Sequence, residues 1–247
     1  MHGLFGTKHL ILIGICAAFI VGGYFLTRKW DMNKLIRTLF HIGVASELIK
    51  VFYYILSNEA TYGGILPKTD LPFHLCSIQI LFLLLLRFSQ SRRLKEVLLS
   101  FMMPSCLLGG IAAVLIATTS SLNGMWILTL QYFGYHCAIA IFGLALMSSG
   151  VMKLTVKHYF ICLKFLIGLM LFAIYINSIL YDGNAKINFM YVASPPQEGL
   201  PWLNEEQGWL VYITRYAILV VGCVTACYLK PICAAIKEKF APKKVST

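Results

Sequence analysis

Seven apolar runs follow one another along this chain, separated by short breaks that hold most of its charged residues. Each run is close to or above the ~20 residues a helix needs to cross a ~30 Å hydrocarbon core. Backbone in hydrocarbon must satisfy its hydrogen bonds internally, which leaves helices or a closed barrel. The runs lack period-two alternation and far exceed the ~9–11 residues of a barrel strand, so helices are expected. They fall at 8–27, 36–57, 73–90, 96–117, 125–149, 156–180 and 208–230. The expected fold class is therefore all-α: a polytopic transmembrane helix bundle forming a single transmembrane domain over 1–247. Residues 231–247 form a short basic tail.

Composition agrees. Charged residues make up 13% of the chain, where a soluble domain carries about a quarter. The net charge of +11 does not point to nucleic acid, because the basic residues are not gathered on one face among aromatics. They alternate between connections instead. Arg28, Lys29, Lys34 and Arg37 mark the first break, Arg87, Arg92, Arg93 and Lys95 the third, Lys153 and Lys157 the fifth. Lys230, Lys237, Lys239, Lys243 and Lys244 mark the tail, whereas the opposite side holds Lys8, Lys68 and Lys186. Under the positive-inside rule the N-terminus faces outward and the C-terminus the cytoplasm. The location expected is a cell membrane crossed several times, a bacterial plasma membrane. The N-terminal run is read as a retained span, since Arg28 and Lys29 follow it where a signal peptide has its charges in front.

Trp30, Trp126 and Trp209 fall at helix ends and Trp202 in a loop, as interfacial anchors do. Pro104 and the Gly109-Gly110 pair are expected to bend the fourth helix. The longest connection, Tyr181 to Gln207, carries Pro195, Pro196 and Pro201, and a loop of that length is often functional. Eight cysteines show no CxxC or Cys/His metal spacing, so no disulfide framework, metal site or cofactor is expected.

Ionisable groups inside spans are costly and therefore informative. Glu47 and Lys50, three apart, share a face of the second helix, either as a self-neutralising pair or as part of a site. Arg215 lies ~10 Å into the last helix, where a guanidinium either anchors the bundle or holds a lipid phosphate. Lys164 and His41, nearer the cytoplasmic ends, read as snorkelling or capping residues. His74 and Cys76 open the third helix within Leu71-Pro72-Phe73-His74-Leu75-Cys76, about 200° apart around it, so they do not form a pair with each other. His136 sits ~16 Å into the fifth helix. A thiol becomes a strong nucleophile when a neighbouring imidazole removes its proton, and the resulting thioester can carry an acyl group between two lipids. For Cys76 and His136 to meet, the third helix must begin deeper than drawn, behind a dip of residues 66–72 into the membrane.

These patches resemble a known group. Leu71–Cys76, His136, and Asn188-Phe189-Met190-Tyr191 together are similar to the YwaF-like integral membrane family of Firmicutes. That family in turn resembles a vertebrate multi-pass acyltransferase that moves polyunsaturated chains into ether phospholipids. The resemblance spans roughly residues 10–230. It implies Cys76 as the acyl-accepting cysteine, His136 as the base, and His74 and Asn188 at recurring positions. The chain departs from the pattern at Ser77, where an acidic residue is frequent, and at Phe189, where Tyr is usual. The expected function is a phospholipid or lysophospholipid acyltransferase at an outer-leaflet site. Catalytic residues are Cys76, His136 and His74, and Asn188, Tyr191, Arg215, Glu47 and Lys50 bind substrate. Two other readings stay open: a non-covalent lipid transporter or flippase with Glu47, Lys50 and Arg215 on a polar path, and a non-catalytic membrane adaptor whose cationic tail binds anionic lipid.

Overall fold

The structure is a computed structural model describing residues 4–57, 66–118, 121–122, 124–149, 154–183, 187–197, 200, 202–204 and 206–240. The charged positions Lys153, Lys186, Lys243 and Lys244 and the loop proline Pro201 lie outside these residues. Helices α1 (Thr7–Thr27), α2 (Met32–Ser57), α3 (Leu75–Phe88), α4 (Arg92–Leu115), α5 (Trp126–Ser148), α6 (Val156–Leu180), α7 (Trp209–Cys227) and α8 (Leu229–Phe240) follow in order. Two short 3₁₀ turns, Lys68–Asp70 and Phe189–Tyr191, interrupt the longer connections. No strand occurs among the described residues.

Six helices, α1, α2 and α4 to α7, are long and apolar enough to cross a membrane. The third run behaves differently. Its helix starts at Leu75 instead of 73 and ends at Phe88, only 14 residues. The chain is still turning at Phe73, whose N–H bonds the Leu71 carbonyl at 2.8 Å, and extended backbone at His74 puts the first helical residue at Leu75. The last run is also shorter than expected. It ends at Cys227, the chain breaks at Tyr228, and Leu229–Phe240 form a separate helix where a plain basic tail was expected. Leu229, Ile232, Cys233, Ile236 and Phe240 make an apolar stripe along α8, flanked by Lys230 and Lys237 on one side and Lys239 on the other.

α4 and α5 are the hub, packed on each other along most of their length. α3 and α6 lie against α4, α1 against α5, and α2 against both α3 and α5. Since α3–α4 and α4–α5 are successive hairpins, α3 and α5 run parallel. Small residues let the hub close. A Cβ built on Gly110 would stand 2.6 Å from the His136 backbone oxygen, and one on Gly143 2.4 Å from the Leu107 nitrogen. This is the close backbone approach that glycine permits between membrane helices. Gly110 thus serves the α4–α5 contact, and α4 continues as one helix through Pro104 and Gly109-Gly110. Pro104 still has a consequence. Lacking an N–H, it cannot serve the Ser100 carbonyl four residues back, and the buried Tyr228 hydroxyl donates to that oxygen at 2.8 Å. The elbow between α7 and α8 is thereby tied to the hub. At the same end of the bundle, Glu96 of α4 receives Lys157 at 2.8 Å and His158 at 3.1 Å from the first turn of α6.

Candidate active site

The short α3 is what builds the site. His74 occupies its N-cap with extended backbone (φ −68°, ψ 152°) and no side-chain cap. Cys76 is the second helical residue, in a turn whose backbone N–H groups have no intrahelical partner. Tyr135 of α5 donates its hydroxyl to the Cys76 carbonyl at 2.8 Å. Tyr135 is nine residues into α5, ~14 Å from its start, while α3 is ~21 Å long at 1.5 Å per residue. The N-terminus of α3 therefore lies well down the length of α5, and the two helices finish nearly level. The start of α3 thus lies beside the turn of α5 that holds His136.

His136, next to Tyr135, is buried at 6% exposure. Its Nδ1 lies 2.7 Å from the Tyr132 backbone oxygen. A carbonyl only accepts, so Nδ1 carries the proton and Nε2 the lone pair. Nε2 has no hydrogen-bond partner among the described residues. The Tyr132 ring packs on the imidazole, centroids 4.2 Å apart, and the Tyr132 hydroxyl donates to Ala113 of α4 at 3.1 Å. Tyr132 is also within electrostatic reach of the Cys76 thiol. His136 and the backbone of Cys76 are thus linked through neighbouring residues of one α5 turn.

A carboxylate reaches the same place from α2. Ser77 donates to Glu47 Oε1 at 2.8 Å, and Lys50 pairs with Glu47 Oε2 at 2.8 Å. Both charges act on Cys76, and Lys50 also acts on His74. The position where the family pattern has an acidic residue is a serine here, and the serine holds an acidic side chain from another helix. Gln79, one turn after Cys76, is fully buried. Its amide nitrogen donates to Ser105 at 2.9 Å, and its oxygen has no hydrogen-bond partner among the described residues.

The long loop covers this end of α3. His74 packs edge-on against Phe189, centroids 5.1 Å apart, and against Tyr191 at 5.6 Å. Phe73 meets Phe189 at 5.4 Å and Phe172 of α6 at 6.0 Å. Two consecutive residues, Met190 and Tyr191, take left-handed backbone (φ 56° and 53°), a strain of about 1–3 kcal/mol each that persists only where surroundings over-determine it. They do so here. Asn177 of α6 bonds both the N–H and the C=O of Phe189, at 2.9 and 3.3 Å. Tyr216 donates to the Met190 carbonyl at 3.0 Å, Tyr212 to that of Tyr191, and Trp209 to that of Val192 at 3.0 Å. Burial pushes the Tyr191 phenol above its ordinary range, so the hydroxyl facing the site stays neutral.

Cys76, His74, Glu47, Lys50 and Tyr191 thus gather around one helix start, with His136 joined to it through α5. Two other expected site residues lie apart. Asn188 spends its amide inside the loop, donating to Ser194 and accepting from the N–H groups of Ala193 and Ser194. Its place is to close the turn. Arg215 bonds Gln207 at 2.7 Å, the Trp202 carbonyl at 3.3 Å and Asn204 at 3.5 Å, all neutral acceptors. Sequence reasoning missed Tyr132, Tyr135, Gln79, Asn177, Tyr212 and Tyr216. Their polar atoms within apolar spans were the available signal.

No curated protein and no solved structure matches the chain. The model of the TMEM164 family, a multi-pass membrane family, matches residues 4–228, and the chain belongs to that family.

Proposed function

We propose that this TMEM164-family chain is a membrane-embedded phospholipid/lysophospholipid transacylase, with Cys76 as the acyl acceptor and His136 as the base. One observation carries the reading: the Tyr132 carbonyl fixes His136 in the tautomer with a basic Nε2, while the next residue, Tyr135, bonds the backbone of Cys76. In the first half-reaction His136 Nε2 takes the thiol proton and the sulfur attacks the ester carbonyl of a donor phospholipid. The carbon–oxygen bond breaks, the imidazolium returns the proton to the departing lysolipid oxygen, and a thioester remains. The hydroxyl of an acceptor lysolipid then gives its proton to His136 and attacks the thioester. The carbon–sulfur bond breaks, and the imidazolium reprotonates the sulfur. No activated cofactor is consumed. The free N–H groups at the start of α3 and the helix dipole favour the negative charge on sulfur and on the tetrahedral oxygen.

The same reading gives the topology. Residues 66–74 descend from the outer surface as irregular backbone around the Lys68–Asp70 turn, which hydrocarbon tolerates only inside protein. α3 then completes a seventh crossing, with the N-terminus outside and the C-terminus cytoplasmic. The site opens to the outer leaflet of the cell membrane.

The test is chemical. Purified protein incubated with a phospholipid labelled in its acyl chain should retain label through denaturation and lose it to neutral hydroxylamine. Label absent from wild-type protein, or equal in Cys76→Ala, overturns the reading and leaves the transporter alternative.

A further inference from the structure

One side of the site opens into a cavity of about 380 Å³ between α2, α3 and α6, roofed by Phe73. Its lining is apolar except for Glu47 and Ser77, and those two bond each other at 2.8 Å. On α2, Phe40 lies seven residues from Glu47. On α3, Leu84 lies seven residues from Ser77. At 1.5 Å per residue both intervals are about 10 Å. Since α2 and α3 run antiparallel, Glu47 faces Ser77 at one end of the groove and Phe40 and Leu84 lie at the other. Phe172 of α6 closes the third wall. The groove is thus a channel along the helix axes, polar only where it passes one residue from Cys76.

We propose that this groove holds the first part of one phospholipid acyl chain, entering sideways from the bilayer, with its ester carbonyl at the Ser77–Glu47 end. α2 and α6 turn most of their surface outward, so in the membrane the open side of the groove meets lipid tails. A space lined this way gives water almost no polar partners, and hydrocarbon fills it. The single polar end fixes the direction of the chain, and the floor at Phe40 and Leu84 sets how far it runs before bending out into the bilayer. Phe40 and Leu84 are therefore specificity-determining residues for chain length and shape. The polar end's meaning rests on the transacylase reading, whereas occupation by a chain does not.

The experiment keeps the two separable. Cys76→Ala protein, which forms no thioester, is reconstituted in nanodiscs of phosphatidylcholine doped with a phospholipid carrying a mid-chain diazirine. After irradiation, cross-links are mapped by peptide mass spectrometry. The expected result is concentration of cross-links on the peptides holding Phe40 and Leu84, falling several-fold in Leu84→Trp, where the indole fills the floor at an outward-facing position. Equal label on all outward-facing helix surfaces, including Phe19 and Leu26 of α1, unchanged by Leu84→Trp, overturns the proposal. So does absence of label from these peptides, as when a second copy of the chain covers the groove. Groove cross-links together with no hydroxylamine-sensitive label in wild-type protein would remove the transacylase and keep the chain site.

Discussion

Replacing Gly110 with alanine is a small change with a predictable geometry. The added Cβ would lie 2.6 Å from the His136 carbonyl oxygen and 2.9 Å from both the nitrogen and the Cβ of Ala140. Even close carbon–oxygen contacts between helices stay near 3.3–3.6 Å, so α4 and α5 must part by roughly 0.7 Å at this level. The atoms met are mostly backbone, and no side chain can swing away. Overpacking of this kind costs about 1–3 kcal/mol, and alanine returns about 0.5–1 kcal/mol through helix propensity. The net loss should be on the order of 1 kcal/mol, a few degrees of thermal midpoint. The effect on rate should be larger, because the residue pushed is the base. A misplacement near 1 Å costs up to ~100-fold, so transfer should fall by about tenfold in protein that still folds. Gly134→Ala is the control: it lies on α5 two residues before His136, gains the same propensity, and its Cβ meets nothing within 4 Å. It should match or slightly exceed wild type in midpoint and leave transfer unchanged. Thermal unfolding in detergent and transfer in nanodiscs would be measured for both. If Gly110→Ala equals Gly134→Ala in midpoint and rate, the α4–α5 approach does not set the position of His136 and the argument fails.

Three further outcomes follow from the same geometry. Cys76→Ala and His136→Ala should each abolish acyl transfer with expression intact, and full activity in Cys76→Ala would end the thioester mechanism. Tyr228→Phe should cost about 1 kcal/mol by removing its hydrogen bond to the Ser100 carbonyl; in a Pro104→Ala background, where the helix supplies its own N–H, the cost should shrink, and an undiminished cost in that double-mutant cycle would refute the pairing. Thr247→Cys in a background without native cysteines should react with an impermeant thiol reagent only after cells are permeabilised, and labelling of intact cells would reverse the topology.

The helices were legible because hydrocarbon leaves so few options: a run of apolar residues without alternation has to be a helix, and its length bounds its ends. Departures occur where a local rule overrides hydropathy. Extended backbone at His74 delays α3 past Phe73, where the apolar run begins. Tyr228 ends α7 although the chain continues into Leu229, Ile232 and Ile236, whose helical spacing was visible but was masked by the neighbouring lysines. Cys76, His136 and Glu47 stood out because each is expensive in its span. Arg215 stood out for the same reason and proved to hold a loop, which shows that cost marks a residue without saying what offsets it. Asn188 was marked by pattern alone, and its hydrogen bonds all close within six residues.

The tyrosines were hidden for a different reason, since tyrosine is unremarkable in a membrane helix. Their partners show a common rule. Helical carbonyls are satisfied by the helix itself, so a tyrosine hydroxyl buried in such a bundle has few acceptors except where the backbone leaves regular helix or loses a donor. Tyr212 and Tyr216 go to the two left-handed residues of the loop, and Tyr228 goes to the carbonyl that Pro104 deprives. Tyr135 is the exception: the Cys76 carbonyl it meets lies in the first turn of α3, where the N–H groups and not the carbonyls lack helical partners. Each hydroxyl lies 21 to 128 residues from its acceptor, so no local pattern could pair them. Read the other way, the hydroxyls of Tyr212, Tyr216 and Tyr228 locate the irregular backbone, and one of the two places they point to, the 189–192 turn, lies against His74. Met190 and Tyr191, two of the four non-glycine residues with positive φ among those described, lie beside the helix start that carries Cys76, and strain held there by its surroundings fits the site proposed for it.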